Sequence, residues 1–130
     1  MVQISATVSR HLDDLGTRPP ALAAIRDSVE RAFEALRACV GSGGTIYLCG
    51  NGGSAAIASH VSVDLTKAAG IRAINFNESD LLTCFANDYG YEHWVEMALH
   101  FYADPGDAVI LISSSGTSPN MINGAAKSQS

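Results

Sequence analysis

The chain opens on a helical period. Ile4, Val8, Leu12 and Leu15 recur every three or four positions, the spacing of one apolar stripe, and predict a helix over 3–15. Pro19-Pro20 interrupts it. A second helix is expected to start at Pro20, because proline is tolerated at a first helical position. Its stripe is Leu22, Ile25, Val29, Phe33, Leu36 and Val40. Arg26–Glu30 and Asp27–Arg31 stand four apart on the polar side as ion pairs, and Gly41-Ser42-Gly43-Gly44 ends the helix.

From Thr45 the pattern changes. Thr45-Ile46-Tyr47-Leu48-Cys49 is a β-rich run, followed at once by the small-residue turn Gly50-Asn51-Gly52-Gly53-Ser54. A helical stretch runs from Ala55 to Lys67, and 71–75 reads as a second strand. Residues 79–86 and 90–103 read as helices separated by Asn87-Asp88. The nearly continuous apolar run over 107–112 reads as a third strand. A serine-rich turn, Ser113 to Ser118, then leads into a helix opening at Pro119.

Strands alternating with helices imply parallel βαβ units, and near-continuous apolar strands imply burial on both faces. The expected fold class is therefore α/β, a three-layer α/β/α arrangement on a parallel sheet. N-terminal helices over 1–40 precede it, serving packing or oligomerisation, and the α/β domain occupies 41–130. Three strands are few beside the usual mean of about five to six, and the last helix has only about two turns. The chain is expected to stop early relative to its fold.

Composition narrows the function classes. With 130 residues, 47% apolar and 16% charged, the chain has the balance of one globular domain and not of a disordered segment. Thirteen acids against eight bases give a net charge of −5, which weighs against binding a nucleic acid backbone. No apolar run reaches the length of a membrane span, and 1–4 shows neither the basic nor the apolar region of a signal peptide. Cys39, Cys49 and Cys84 are odd in number and form no C-x-x-C pair. They read as reduced, mostly buried thiols of a cytoplasmic protein and exclude a disulfide scaffold or a zinc finger.

The informative feature is a repeated arrangement of strand, small-residue turn and helix start, at 50–54 and again at 113–118. In open α/β sheets ligands bind beyond the carboxyl ends of strands. A helix start there offers free N–H groups and the positive end of a dipole, which suits an anion. The second turn carries a hydroxyl at every position but Gly116, which suits a phosphate group; equally, Ser118 can be an N-cap, Pro119 the first helical residue and the rest a polar loop. Gly50, Gly52 and Ala55 also satisfy G-x-G-x-x-A, but the acid expected at the end of the second strand is missing: Asn75 and Asn77 stand there, with Glu78 late. No nucleotide is expected.

His60 and Asp64 are four apart, on one face of the helix after the first turn. They can share a metal, act as an acid–base pair, or simply stabilise the helix. Asn87-Asp88 can supply polar donors or end one helix and cap the next. Tyr89, Tyr91, Trp94 and Phe101 are read as core or interface residues. His93 and His100, seven apart, lack a third ligand. No G-x-S-x-G elbow and no Walker lysine are present, so covalent catalysis and phosphoryl transfer lose ground.

Four segments together resemble the sugar isomerase (SIS) domain family, and within it most the phosphoheptose isomerases. They are Leu48-Cys49-Gly50-Asn51-Gly52-Gly53-Ser54-Ala55, His60 to Thr66, Ala86-Asn87-Asp88-Tyr89-Gly90-Tyr91, and Gly106-Asp107 through Asn120. The resemblance implies a flavodoxin-like parallel sheet and conversion of sedoheptulose 7-phosphate to D-glycero-D-manno-heptose 7-phosphate through an enediol. It places Asn51, Gly52, Gly53, Ser54, Asn87 and Asp88 on the substrate and Ser113, Ser114, Ser115 and Ser118 on its phosphate. It makes His60 a zinc ligand, as in some members. Asp64 stands where the family has a glutamate that is both metal ligand and proton-transfer group, so His60 and Asp64 are the catalytic and metal candidates.

Two departures stand out. Asp64 is one methylene shorter than the family's glutamate, and the loop after Thr66 is short. The family's C-terminal part, with two further strands, a closing helix and a Gln and a His that complete the site, has no counterpart here. The resemblance also implies a homo-oligomer, dimer or tetramer, and a sugar-phosphate ligand, while charge and hydropathy lead to an expectation of no nucleic acid and no membrane. Its alternative within the same family is a non-catalytic module that binds a phosphosugar or a protein.

Overall fold

A computed structural model describes residues 6–16 and 24–129. The chain divides into two compact units, Met1–Arg37 and Ala38–Ser130. In the first, helix α1 (Ala6–Gly16) is followed by helix α2 (Arg26–Gly41), whose last turn belongs to the second unit. The helix expected from Pro20 begins instead at Arg26, with a turn at 24–25 and 17–23 outside the described residues. Ile25 O accepts the first helical bond from Val29 N (3.0 Å), and Asp27 falls in the first turn, where the helix dipole favours an acid. Arg26 joins the two helices: its guanidinium lies 2.7 Å from Asp13 and 3.0 Å from Glu30. The expected partner of Asp27, Arg31, donates to Ser28 Oγ instead.

The second unit is built on strands β1 (Ile46–Gly50), β2 (Ala73–Asn75) and β3 (Ala108–Ile112), all parallel, in the order β2-β1-β3. Between them run α3 (Gly53–Lys67), α4 (Ser79–Tyr89) and α5 (Trp94–Tyr102), and α6 (Pro119–Lys127) follows β3. This is the α/β arrangement expected, and the order is that of the first three strands of a flavodoxin-like sheet.

Alternation along the strands sorts the layers. Tyr47 and Cys49 point to one face and pack with Trp94, Val95, Ala98 and Leu99 of α5 and Met121 of α6, joined by Val109 and Leu111 of β3. Phe76 closes this core, stacked 5.3 Å from Tyr47. On the other face Leu48 stands beside Asn75 in register, and Asn75 Nδ2 donates to Ser62 Oγ of α3 (2.9 Å). β1, central and covered on both sides, is buried at every position; β3 is only half-buried. At the N-terminal edge the Asp107 carboxylate accepts from Thr45 N (2.7 Å) and Asp104 N (2.9 Å), which ties the starts of β1 and β3 together. Among the described residues no helix is long and apolar enough to cross a membrane.

One boundary differs in a way that matters. Asn87-Asp88 does not separate two helices. It lies inside the last turn of α4, which runs on to Tyr89 because Phe85 and Tyr89, one turn apart, meet edge to face at 5.7 Å. Gly90, at φ 91°, then stops the helix, and the next is preceded by His93, so Asp88 caps nothing.

Candidate functional site

The two small-residue turns meet where the connections leaving β1 and β3 diverge to opposite faces, the switch point at which α/β sheets bind ligands. The first turn is glycine for steric reasons. A Cβ on Gly50 would lie 2.5 Å from Ser54 C, so strand and helix can close this tightly only without a side chain. Gly52 sits at φ 54°, ψ −119°, a conformation open essentially to glycine alone, and makes no side-chain cap for α3. Open space surrounds the Cβ positions of Gly52 and Gly53, so backbone N–H groups there are approachable.

The second turn gathers hydroxyls. Ser113 Oγ is 3.4 Å from Ser115 Oγ and 3.2 Å from Ser118 Oγ, and it accepts from Gly116 N at 3.1 Å. Ser115 Oγ accepts from Thr117 N at 3.2 Å. The expected N-cap bond from Ser118 is absent: its hydroxyl turns to Ser113, and α6 starts on Pro119 with no side-chain cap. The N-terminal end of α6 thus lies beside three converging hydroxyls, a donor-rich setting for an anion. Ser114 is exposed and takes no part in that cluster.

Asn51 bridges the turns. Its Nδ2 donates to Asn120 Oδ1 (3.0 Å) and its Oδ1 accepts from Asn120 Nδ2 (2.8 Å). Tyr91 Oη donates to the same Asn51 Oδ1 at 3.1 Å. Asn51, Tyr91, Glu92, Ser118, Pro119 and Asn120 line a cleft of about 260 Å³. Four of these residues went unread as site residues, and two of them, Tyr91 and Asn120, bond to Asn51. Tyr91 was expected in the core or an interface with Tyr89, Trp94 and Phe101; only Trp94 is core, and the other three are exposed. Asn120 is 1% exposed. The signal available was position alone, since both stand at the ends of the motif segments.

The remaining candidates lie elsewhere. Asn87 Nδ2 donates to Asp88 Oδ1 (2.9 Å), and Cys84 Sγ lies 3.6 Å from Asp88 Oδ2, all on the exposed end of α4. The Asp88 carboxylate, with some burial, pushes the Cys84 thiol above its ordinary range. His60 Nε2 and Asp64 Oδ2 are 3.5 Å apart on the outer side of α3, with side chains 80% and 63% exposed. Among the described residues no cluster of three His, Cys, Asp or Glu side chains could hold a metal ion. One nitrogen and one oxygen donor fall short of the three protein ligands of a catalytic zinc, so this pair by itself does not fit the ion. His93 lies against Glu96 (2.8 Å) and His100 against Phe101, apart from that pair.

Comparison with known proteins accords with this geometry. The chain is 34% identical to the phosphoheptose isomerase of Bordetella avium, over 94% of its own length and 65% of that protein's. It is 36% identical to that of Roseiflexus sp., over 92% and 60%. It therefore spans less than two thirds of the length of these curated relatives. Among solved structures, phosphoheptose isomerase GmhA from Neisseria gonorrhoeae superposes with a TM-score of 0.79 at 28% identity, covering 95% of this chain and 66% of that one. A phosphoheptose isomerase from Francisella tularensis, at 22% identity and TM-score 0.77, shows the same fold. Residues 20–130 match the SIS domain, a span that holds both turns, the helices they open and the sheet that carries them, and the chain belongs to the SIS domain family.

Proposed function

We propose that this chain forms the phosphosugar-binding part of an aldose–ketose isomerase that converts sedoheptulose 7-phosphate to D-glycero-D-manno-heptose 7-phosphate. One observation carries the reading: the Asn51–Asn120 pair sets an open glycine turn beside an uncapped, serine-lined helix start. The relatives named phosphoheptose isomerase supply the substrate class.

In this reading Ser113, Ser114, Ser115 and Ser118 hold the phosphate with the dipole of α6, and Asn51, Gly52, Gly53, Ser54, Asn87 and Asp88 meet the sugar. Anchoring the phosphate fixes the far end of the chain, which converts the proton transfers into steps within one complex. Asp64 removes a proton from C1, giving an enediol, and returns a proton to C2, while a second proton passes from O1 to O2. The formula is unchanged, as isomerisation requires. His60, 3.5 Å from Asp64, polarises the oxygen that takes up charge. No step is routed through zinc, which would need donors beyond these two. Free, partly buried thiols and a phosphorylated substrate fit a cytoplasmic protein. The exposed apolar residues Ile25 and Val29 of the first unit fit a homo-oligomer.

The exposure of His60 and Asp64 favours the second reading, a module that binds the phosphosugar without turning it over. Proton NMR of sedoheptulose 7-phosphate in D₂O separates the two, run with and without added zinc. Product signals, or deuterium entering beside the carbonyl, establish the isomerase, and Asp64→Asn then abolishes both. Line broadening of the sugar phosphate without exchange establishes the binding module. Neither effect defeats both readings.

A further inference from the structure

We infer that Asn120 is a positioning residue for sugar recognition, acting through Asn51, with Tyr91 as the third member of the device; the inference rests on the phosphosugar reading above. Asn120 is the second residue of α6 and is almost completely buried, a costly place for a carboxamide unless its bonds are made. Its oxygen and its nitrogen each make one, both to a single partner, Asn51, 69 residues away in the other turn.

Two contacts fix Asn51, the pair with Asn120 and the bond from Tyr91. Reversing the Asn51 amide would set donor against donor and acceptor against acceptor across the pair. The Tyr91 hydroxyl fills the second lone pair of Asn51 Oδ1. What remains is one N–H of Asn51 Nδ2, on a residue that lines the cleft together with Tyr91, Glu92 and Ser118. A sugar hydroxyl placed there meets a donor of fixed direction, at a fixed distance from the serine turn that takes the phosphate. Asn120 thus sets the span between the two ends of the ligand. Its side chain is bonded to Asn51 and not to the hydroxyls of Ser113, Ser115 and Ser118, so replacing that side chain leaves the serine turn and the backbone of α6 in place.

The test compares a ligand that needs both turns with one that needs only the second. Affinities for sedoheptulose 7-phosphate and for inorganic phosphate are measured by calorimetry on the full chain and on Asn120→Ala, Asn51→Ala and the double variant. Asn120→Ala is expected to weaken the sugar phosphate about tenfold and to leave inorganic phosphate within about twofold. The double variant is expected to bind no worse than Asn51→Ala, the mark of a residue acting through another. Tyr91→Phe removes one oxygen from a half-exposed ring and keeps the test open if Asn120→Ala does not fold. It is expected to weaken the sugar phosphate about threefold, again sparing phosphate. Equal losses for both ligands, or additive losses in the double variant, overturn the inference while leaving the function intact. Failure of the unaltered chain to bind either ligand overturns the phosphosugar reading and the inference with it.

Discussion

Asn51 and Asn120 exchange two side-chain hydrogen bonds, at 3.0 and 2.8 Å, across the gap between the turn that leaves β1 and the helix that follows β3. Each bond replaces one that water would otherwise make, so the pair contributes little net stability for its size. Its effect is geometric. Two backbone segments far apart in sequence are held at one separation.

The serine turn gives the sharpest separation of binding from folding. Because the Ser118 hydroxyl faces Ser113 and makes no cap bond, Ser118→Ala is expected to change stability by less than about 0.5 kcal/mol. A true N-cap would cost about 1 kcal/mol. The same variant loses a hydrogen bond to a charged ligand and should weaken inorganic phosphate about tenfold. Denaturant titration and calorimetry check the two halves.

The glycines of the first turn divide by geometry. Gly50→Ala drives a Cβ into the Ser54 backbone and is expected to cost about 1–3 kcal/mol or to prevent folding. Gly53→Ala meets open space and, at a helix start, is expected to be neutral or stabilising by up to about 1 kcal/mol. It should still weaken the sugar phosphate, because its methyl group covers an approachable backbone. Thermal melts rank the pair, and equal melting temperatures would refute the steric account of Gly50.

Asp64 tests the proposed proton transfer. If its carboxylate stands about 1.5 Å short, misplacement on that scale costs up to about 10²-fold. Asp64→Glu is then expected to raise the deuterium exchange rate, and Asp64→Asn to remove it. A rate that ignores both substitutions takes Asp64 out of the reaction.

The thiols are expected to differ in reactivity. Burial pushes the Cys49 thiol up to about 12, and both Cys39 and Cys49 are buried, so neither should label with maleimide in the native state. Cys84 is exposed, but the Asp88 carboxylate raises it and lowers its thiolate fraction near neutral pH. Asp88→Asn removes that charge, so labelling of Cys84 should speed up at fixed pH. Mass spectrometry of a labelling time course reads all three, and an unchanged Cys84 rate would show that Asp88 does not act on it.

The alternation of β-rich runs with apolar helical stretches settled much of this protein in advance. Short-range period is a local property, and 45–49, 55–67 and 107–112 declare theirs without help from the rest of the chain. Glycines at 50 and 52 and serines at 113–118 likewise carry their meaning in place, because backbone conformation and hydroxyl chemistry need no partner to be read. Helix ends were less legible. Whether α4 stops before Asn87 or after Tyr89 turns on an aromatic contact with Phe85. The direction of the Ser118 hydroxyl was set within its own turn, five residues from Ser113, by a choice between two local partners that the pattern leaves open. The burial of Asn120 and the arrival of Tyr91 at Asn51 were decided only by the tertiary structure, because these residues stand 69 and 40 positions from Asn51, and Asn120 meets it only after the sheet has placed β1 beside β3.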